Sequence, residues 1–111
     1  MKLIQGKKTI KEIDFEYLSK IEYIQALGSY SILKNTNDLF CVPLKYFELL
    51  LEKSWLRPNK SFLINPKFID YSKSNNYEIV LFSDKKFTVS RRKLPRVKLF
   101  IDFQIKKENF Q

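Results

Sequence analysis

The chain has 111 residues, near the common size of a single domain, and 44% of them are hydrophobic, an ordinary share for a folded soluble protein. Lys and Arg number 21 against 12 Asp and Glu, a formal net charge of +9, and there is no His. The missing imidazole excludes Ser–His and Cys–His catalysis and His-based metal sites, and a single cysteine excludes an internal disulfide.

Residues 1–6 open the chain without the apolar core of a signal peptide. No apolar run approaches the ~20 residues needed to span a bilayer, so a cytoplasmic protein is expected. Lys7 to Ile13 suggests a short strand through Ile10 and Ile13. Residues 15–20 fit either a turn or one helical turn. Residues 21–27 are rich in β formers, Gly28-Ser29 is a turn signal, and 30–34 resumes as a strand. The polar tetrad Asn35-Thr36-Asn37-Asp38 predicts a tight turn between 30–34 and a strand at 39–42. Cys41 falls in that apolar run and reads as a buried structural thiol.

Pro43 is expected at the first position of a helix spanning 43–53. Leu44, Phe47, Leu50 and Leu51 share one face, and Lys45, Glu48 and Glu52 share the other. That spacing describes a core-packing helix. Residues 54–57 follow as a short extended piece. Residues 61–65 fit one helical turn or a strand, and Pro66 stops a long helix there. Two hairpins in series are then expected. Strands at 68–71, 77–82 and 86–90 are joined by polar turns at 73–76 and 83–85. Phe87 and Val89 point inward in the last of them. Leu94, Val97 and Ile101 suit a short helix started by Ser90, while Val97, Leu99, Ile101, Phe103 and Ile105 suit a strand equally well; a helix over 91–100 is the expectation, and the last few residues look like a tail.

The charge is uneven. Residues 1–56 hold eight Lys against seven acids, whereas residues 57–111 hold nine Lys and four Arg against five acids. All four arginines, Arg57, Arg91, Arg92 and Arg96, lie in the second half. Arg is suited to bidentate contact with phosphate and guanine. The basic and polar residues cluster at turns, and the apolar ones in strands. A β scaffold presenting charged loops to a polyanion has this pattern.

Four stretches carry a family resemblance. They are residues 21–32 (Ile21-Glu22-Tyr23-Ile24-Gln25-Ala26-Leu27-Gly28-Ser29-Tyr30-Ser31-Ile32), Pro43-Leu44-Lys45, Leu56-Arg57-Pro58-Asn59-Lys60-Ser61-Phe62-Leu63-Ile64-Asn65, and Val89-Ser90-Arg91-Arg92. In order and spacing over about residues 8–100 the chain resembles the LytTR family of bacterial DNA-binding domains. The third stretch is the most specific. Family members commonly have His where this chain has Asn59, Arg or Asn where it has Lys60, and a helix-capping Ser where it has Pro43. Many also carry an N-terminal receiver domain, for which this chain has no room. It is expected to be one domain over 1–111, stand-alone or cut from a longer protein, with a receiver domain or sensor protein as a partner in the latter case.

The resemblance implies a mostly β fold of short antiparallel strands and hairpins with one or two short α-helices. It also implies sequence-specific binding of double-stranded DNA in transcriptional regulation, by loops that enter successive grooves and bend the duplex. Carried over residue by residue, the DNA-facing positions are Ser29 and Tyr30, the segment Arg57, Asn59, Lys60 and Ser61, and the segment Ser90, Arg91, Arg92 and Lys93. Their chemistry fits. The cations neutralise phosphates, an Arg reads guanine, Asn59 reads adenine, and the serines bond phosphate. Tyr30 is equally well an ordinary strand aromatic, Phe62 and Asn65 serve as turn formers, and Lys85 and Lys86 fit a solvated hairpin tip.

No enzyme, cofactor, metal or small-molecule substrate is expected, since no paired-carboxylate site, phosphate loop or ligand cluster is evident. The chain is expected to be a monomer in isolation, with dimers forming on repeated DNA sites. Two rival readings are single-stranded nucleic-acid binding, with exposed aromatics stacking bases on a sheet face, and a non-catalytic adaptor domain.

Overall fold

A computed structural model describes residues 15–51 and 54–109. The strand expected at 7–13 lies outside the described residues. The fold is mostly β, as the resemblance implies. A five-stranded antiparallel sheet has the order β3-β2-β1-β5-β4, with β1 at Tyr23–Leu27, β2 at Tyr30–Lys34, β3 at Asp38–Phe40, β4 at Leu56–Asn59 and β5 at Phe62–Ile64. A separate hairpin pairs β6, Glu78–Val80, with β7, Lys86–Thr88. Helix α1 is Phe15–Ser19, α2 is Leu44–Leu50 and α3 is Leu94–Asn109.

The five-stranded sheet buries both faces, and the period of two along its strands assigns them. Ile24 pairs with Leu33 on one side and Leu63 on the other, so all three point the same way. They meet Leu18 of α1 and Leu44 and Phe47 of α2, with Phe40, Leu51 and Trp55 completing that core. On the opposite face Ile64 and Leu56 meet Ile79 and Phe87 of the second hairpin and Val97 and Ile101 of α3. Tyr23, Phe62 and Phe87 interlock edge to face there, with ring centroids 4.9–5.9 Å apart.

The turns follow from local chemistry. Gly28 adopts φ +59°, the left-handed conformation that the β1–β2 turn requires. Asn35 and Asn37 take positive φ in the β2–β3 turn, a region Asn tolerates better than most residues. Asp38 leaves that turn and enters β3, where it is buried and pairs with Leu33. The Tyr17 hydroxyl donates to the Asp38 carboxylate. Burial, and then that bond, push Tyr17 up to about 12. Asn65 is a structural residue: its amide donates to the Ile21 carbonyl at 3.0 Å, and its oxygen accepts from the Lys67 amide at 3.1 Å.

Several expectations are corrected. Cys41 is exposed, because β3 ends at Phe40 and the chain turns outward before α2. Pro43 precedes α2 as its cap residue, in extended conformation at ψ 158°, and is not its first helical residue. The helix ends at Leu50, whose side chain is exposed, while Leu51 turns in to the core. Residues 52–53 lie outside the described residues. Leu56–Asn59 forms a true edge strand around Pro58, where a register irregularity accommodates the ring. Of the two alternatives left open for residues 61–65, the structure takes the strand, over residues 62–64.

The strand expected at 68–71 is largely replaced by a 3-10 turn at Pro66–Phe68, and its pairing reduces to a single bridge between Ile69 and Leu81. The two hairpins in series are therefore one hairpin and one bridge. Tyr77 and Phe82 lie outside β6 and are exposed. The segment after Ser90 is helical as expected but longer. A 3-10 turn at Arg91–Lys93 leads into sixteen residues of α3, which continue well past residue 100. Ser90 occupies the cap position of the 3-10 turn without a side-chain bond. Pro95 is accommodated because it lies in the first turn of α3, where no helical N–H bond is lost.

Candidate nucleic-acid interface

Strand direction decides which turns meet. β1 runs toward the Gly28-Ser29 turn, and antiparallel β5 starts from the Lys60-Ser61 turn beside it. The Ala26 amide donates to the Ser61 carbonyl at 2.9 Å, which joins the two turns to one end of the sheet. The Ser90 amide donates to the Pro58 carbonyl at 2.9 Å and delivers the Arg91–Lys93 turn to the same end. The β6–β7 turn lies at the other end, where the Ser83 hydroxyl donates to Glu22 at 3.0 Å.

This end of the sheet holds a cleft of about 510 Å³. It is lined by Arg57, Asn59, Lys60 and Ser61 from the β4–β5 side and by Ser90, Arg92 and Lys93 from the other. Seven of the ten sequence-predicted site residues thus share one concavity, and no carboxylate lines it. Arg91 belongs to the same 3-10 turn and is exposed outside the lining. Ser29 and Tyr30 are exposed on the neighbouring β1–β2 turn and do not line the cleft.

The seven residues fall into two groups by bonding. Arg57 and Asn59 are engaged. The Arg57 guanidinium donates from Nη1 to Glu48 Oε1 at 3.0 Å, from Nη2 to the Lys60 carbonyl at 3.1 Å and from Nε to the Asn59 carbonyl at 3.4 Å. Its ion pair with Glu48 is four-fifths buried, with side-chain exposures of 19% and 18%. Asn59 donates from Nδ2 to the Thr88 carbonyl at 2.7 Å and accepts the Ser61 amide at 2.8 Å. The side chains of Lys60, Arg92 and Lys93 make no ion pair or hydrogen bond among the described residues, and the same holds for Arg91. These four cations converge on one end of the fold from two segments thirty residues apart in sequence, leaving the uncompensated positive charge that a polyanion would neutralise.

Glu48 was not foreseen as part of this site. Its helical position placed it with Lys45 on a polar face, and nothing in the sequence couples it to a strand residue nine positions later. Its partial burial against Arg57 appears only once α2 is packed across the sheet.

The aromatic residues are distributed differently from a stacking platform. Tyr23, Phe62 and Phe87 pack into the core, and the strongly exposed Tyr46, Tyr77, Phe82 and Phe103 are scattered over α2, the flanks of β6 and α3. Among the described residues no group of His, Cys, Asp and Glu could hold a metal ion, and no helix is long and apolar enough to cross a membrane.

A search of curated proteins gives no match. A solved structure of the LytTr DNA-binding domain of a Bacillus cereus protein, described as a methyl-accepting/DNA response regulator, superposes with a TM-score of 0.54. It is 24% identical and the match covers 69% of this chain and 82% of that one, a likeness of fold. The family model of the LytTr DNA-binding domain matches residues 9–102, nearly the whole chain and all of the cleft, and the chain therefore belongs to the LytTR family of DNA-binding domains.

Proposed function

We propose that this chain binds double-stranded DNA sequence-specifically and acts in transcriptional regulation in the cytoplasm. The observation that carries the reading is the cleft in which Lys60, Arg92 and Lys93 stand, without partners among the described residues, beside Ser61 and Ser90. Arg91 adds to that surface from the same 3-10 turn, and exposed Ser29 and Tyr30 add to it from the neighbouring β1–β2 turn. In this arrangement Lys60 and the 91–93 turn neutralise phosphates, an arginine of the turn reads a guanine edge in the major groove, and the serines fix register on the backbone. The chain acts as a monomer in isolation and pairs only on repeated sites.

Selection from a pool of random duplexes tests this. Enrichment of a defined sequence is expected. Equal retention of all duplexes would reduce the activity to non-specific binding, and retention of none would remove DNA as the partner. Preference for single strands over duplex would favour the rival reading, against which the inward packing of Tyr23, Phe62 and Phe87 already counts.

A further inference from the structure

We infer that Glu48 is a positioning residue for the DNA-facing turn, acting through Arg57. The inference rests on the DNA-binding reading and adds a determinant of its specificity from a helix that lies outside the cleft.

The argument begins with the turn. Asn59 pairs with Phe62, so Lys60 and Ser61 form a two-residue hairpin loop. Two-residue loops normally use turns with positive φ, because only those match the right-handed twist of the strands. Neither Lys60 nor Ser61 has positive φ; among the described non-glycine residues only Asn35, Asn37 and Asp84 do. The adjoining β4 is also irregular in register around Pro58. The turn backbone does not match the strand twist by itself, so side-chain bonds, the local one from Asn59 and those from Arg57, help to hold its shape.

Those bonds are present. Arg57 donates to two successive carbonyls, that of Asn59 at the end of β4 and that of Lys60 in the turn itself. The guanidinium fork is planar and rigid, so fixing its third nitrogen fixes the other two. Glu48 supplies that fixed point at 3.0 Å, from a helix anchored in the core by Leu44 and Phe47. The chain of contacts runs from α2 through Glu48 and Arg57 to the backbone that carries Lys60. All three guanidinium nitrogens are occupied, and the ion pair is largely buried. Arg57 is thereby a frame for Lys60.

An acid beside a phosphate-binding cleft costs affinity by simple Coulomb repulsion. Removing it should strengthen binding unless it holds something in place, which gives the test its sign. Glu48→Ala removes the anchor. Glu48→Gln also removes the charge but leaves an oxygen acceptor where Arg57 expects one. The binding probes are a duplex selected from the random pool and a random duplex of the same length, at one salt concentration. Amide hydrogen exchange of Ala26 and Ser61 in the free protein reports the turn, since both amides bond to it.

Glu48→Ala is expected to lower affinity for the selected duplex about tenfold, the scale of a lost specific contact. Random-duplex affinity and the salt slope stay unchanged, and exchange at Ala26 and Ser61 speeds up. Glu48→Gln is expected to recover most of the loss. Equal strengthening by both variants on both duplexes, with a steeper salt slope, would show that Glu48 only masks charge and would overturn the inference. Unchanged affinity and unchanged exchange in Glu48→Ala would also overturn it. If the unaltered chain bound neither duplex, the DNA reading would fall and the binding role of Glu48 with it. Faster exchange in Glu48→Ala would then still identify the clamp on the turn.

Discussion

The Asn59 side chain donates to the Thr88 carbonyl at 2.7 Å across twenty-nine residues of sequence, and so ties the β4–β5 turn to β7. The same amide's oxygen receives the Ser61 N–H at 2.8 Å. One residue thus fixes the turn internally and docks it to the second hairpin. Asn59→Ala loses both bonds and is expected to cost about 1–2 kcal/mol in a urea unfolding series. Asn59→Asp keeps the acceptor for Ser61 but places a carboxylate against a carbonyl and inside a basic cleft. It should lose comparable stability and far more duplex affinity than the alanine variant. Equal binding by the two variants would mean that the cleft does not face DNA.

Helix α2 makes the second prediction. Phe47 is fully buried and packs edge-on against Phe40 with centroids 5.4 Å apart, in the core beneath one face of the sheet. Phe47→Ala leaves a cavity that neighbours on two elements cannot fill. The expected loss is about 3–5 kcal/mol by denaturant unfolding. A change within experimental scatter would show that α2 is not anchored. Glu48 could not then act as a fixed point for Arg57.

How far these features were readable in the sequence depends on how local their causes are. The β1–β2 hairpin was legible because alternation, Gly28 and the β formers act within a few residues of one another. The β2–β3 turn was legible for the same reason, through Asn35 and Asn37. The inward alternation of Phe87 and Val89 was equally plain. The exposure of Leu50 and Cys41 was not legible, since neither helix periodicity around Leu50 nor the apolar run around Cys41 says where the sheet ends. The strand expected at 68–71 failed because Asn65 and Pro66 favour a 3-10 turn. The Asn65 oxygen caps the Lys67 amide and leaves only Ile69 to pair. The candidate residues at 57–61 and 90–93 come from the family pattern. What the pattern does not show is that Arg57 and Asn59 spend their polar groups on the fold while Lys60, Arg92 and Lys93 do not. That division depends on contacts with Glu48 and Thr88 that no local signal announces.

Tyr17 predicts a pH dependence. Burial, and secondarily its bond to Asp38, raise its folded-state value to about 12 from an unfolded value of 10.0. Between those values the folded state holds a proton that the unfolded state has released, so stability falls as pH rises. The contribution is complete below pH 10 and is lost by about pH 12. Allowing for the group's partial exposure, it amounts to on the order of 1 kcal/mol. Lysine titration also acts in this range, so the comparison is with Tyr17→Phe, which should show a shallower decline in urea midpoint. Identical declines would remove Tyr17 as the source.

The free cations set the salt dependence. Lys60, Arg91, Arg92 and Lys93 are available at this end of the fold, whereas Arg57 is held by Glu48. Four neutralised phosphates give a log–log slope of affinity against salt of roughly −4. A slope near −1 would leave too few contacts for the cleft to be the binding face. One clearly steeper would bring in Arg57 or the lysines of α3.

Arg92, Lys60 and Lys85 together separate groove reading from diffuse attraction. Arg92 and Lys60 line the same cleft from opposite sides. Lys85 sits on the β6–β7 turn, its ammonium 5.9 Å from the Tyr23 ring and 5.8 Å from the Phe87 ring, near the start of β1 and so at the far end of the sheet. None of the three is buried in the core, so truncation should leave the circular dichroism unchanged. Arg92→Ala should cost about 1–3 kcal/mol on the selected duplex and relax preference at one base position, as expected for a side chain that reads a base edge. Lys60→Ala should weaken selected and random duplexes about equally and reduce the salt slope by about one, as expected for a phosphate contact. Lys85→Ala changes net charge by the same amount but is turned away from the cleft. Its effect at equal salt should be much smaller than either. A loss from Lys85→Ala as large as the other two would mean that binding follows total charge alone, and that the cleft at the other end of the sheet is not where DNA sits.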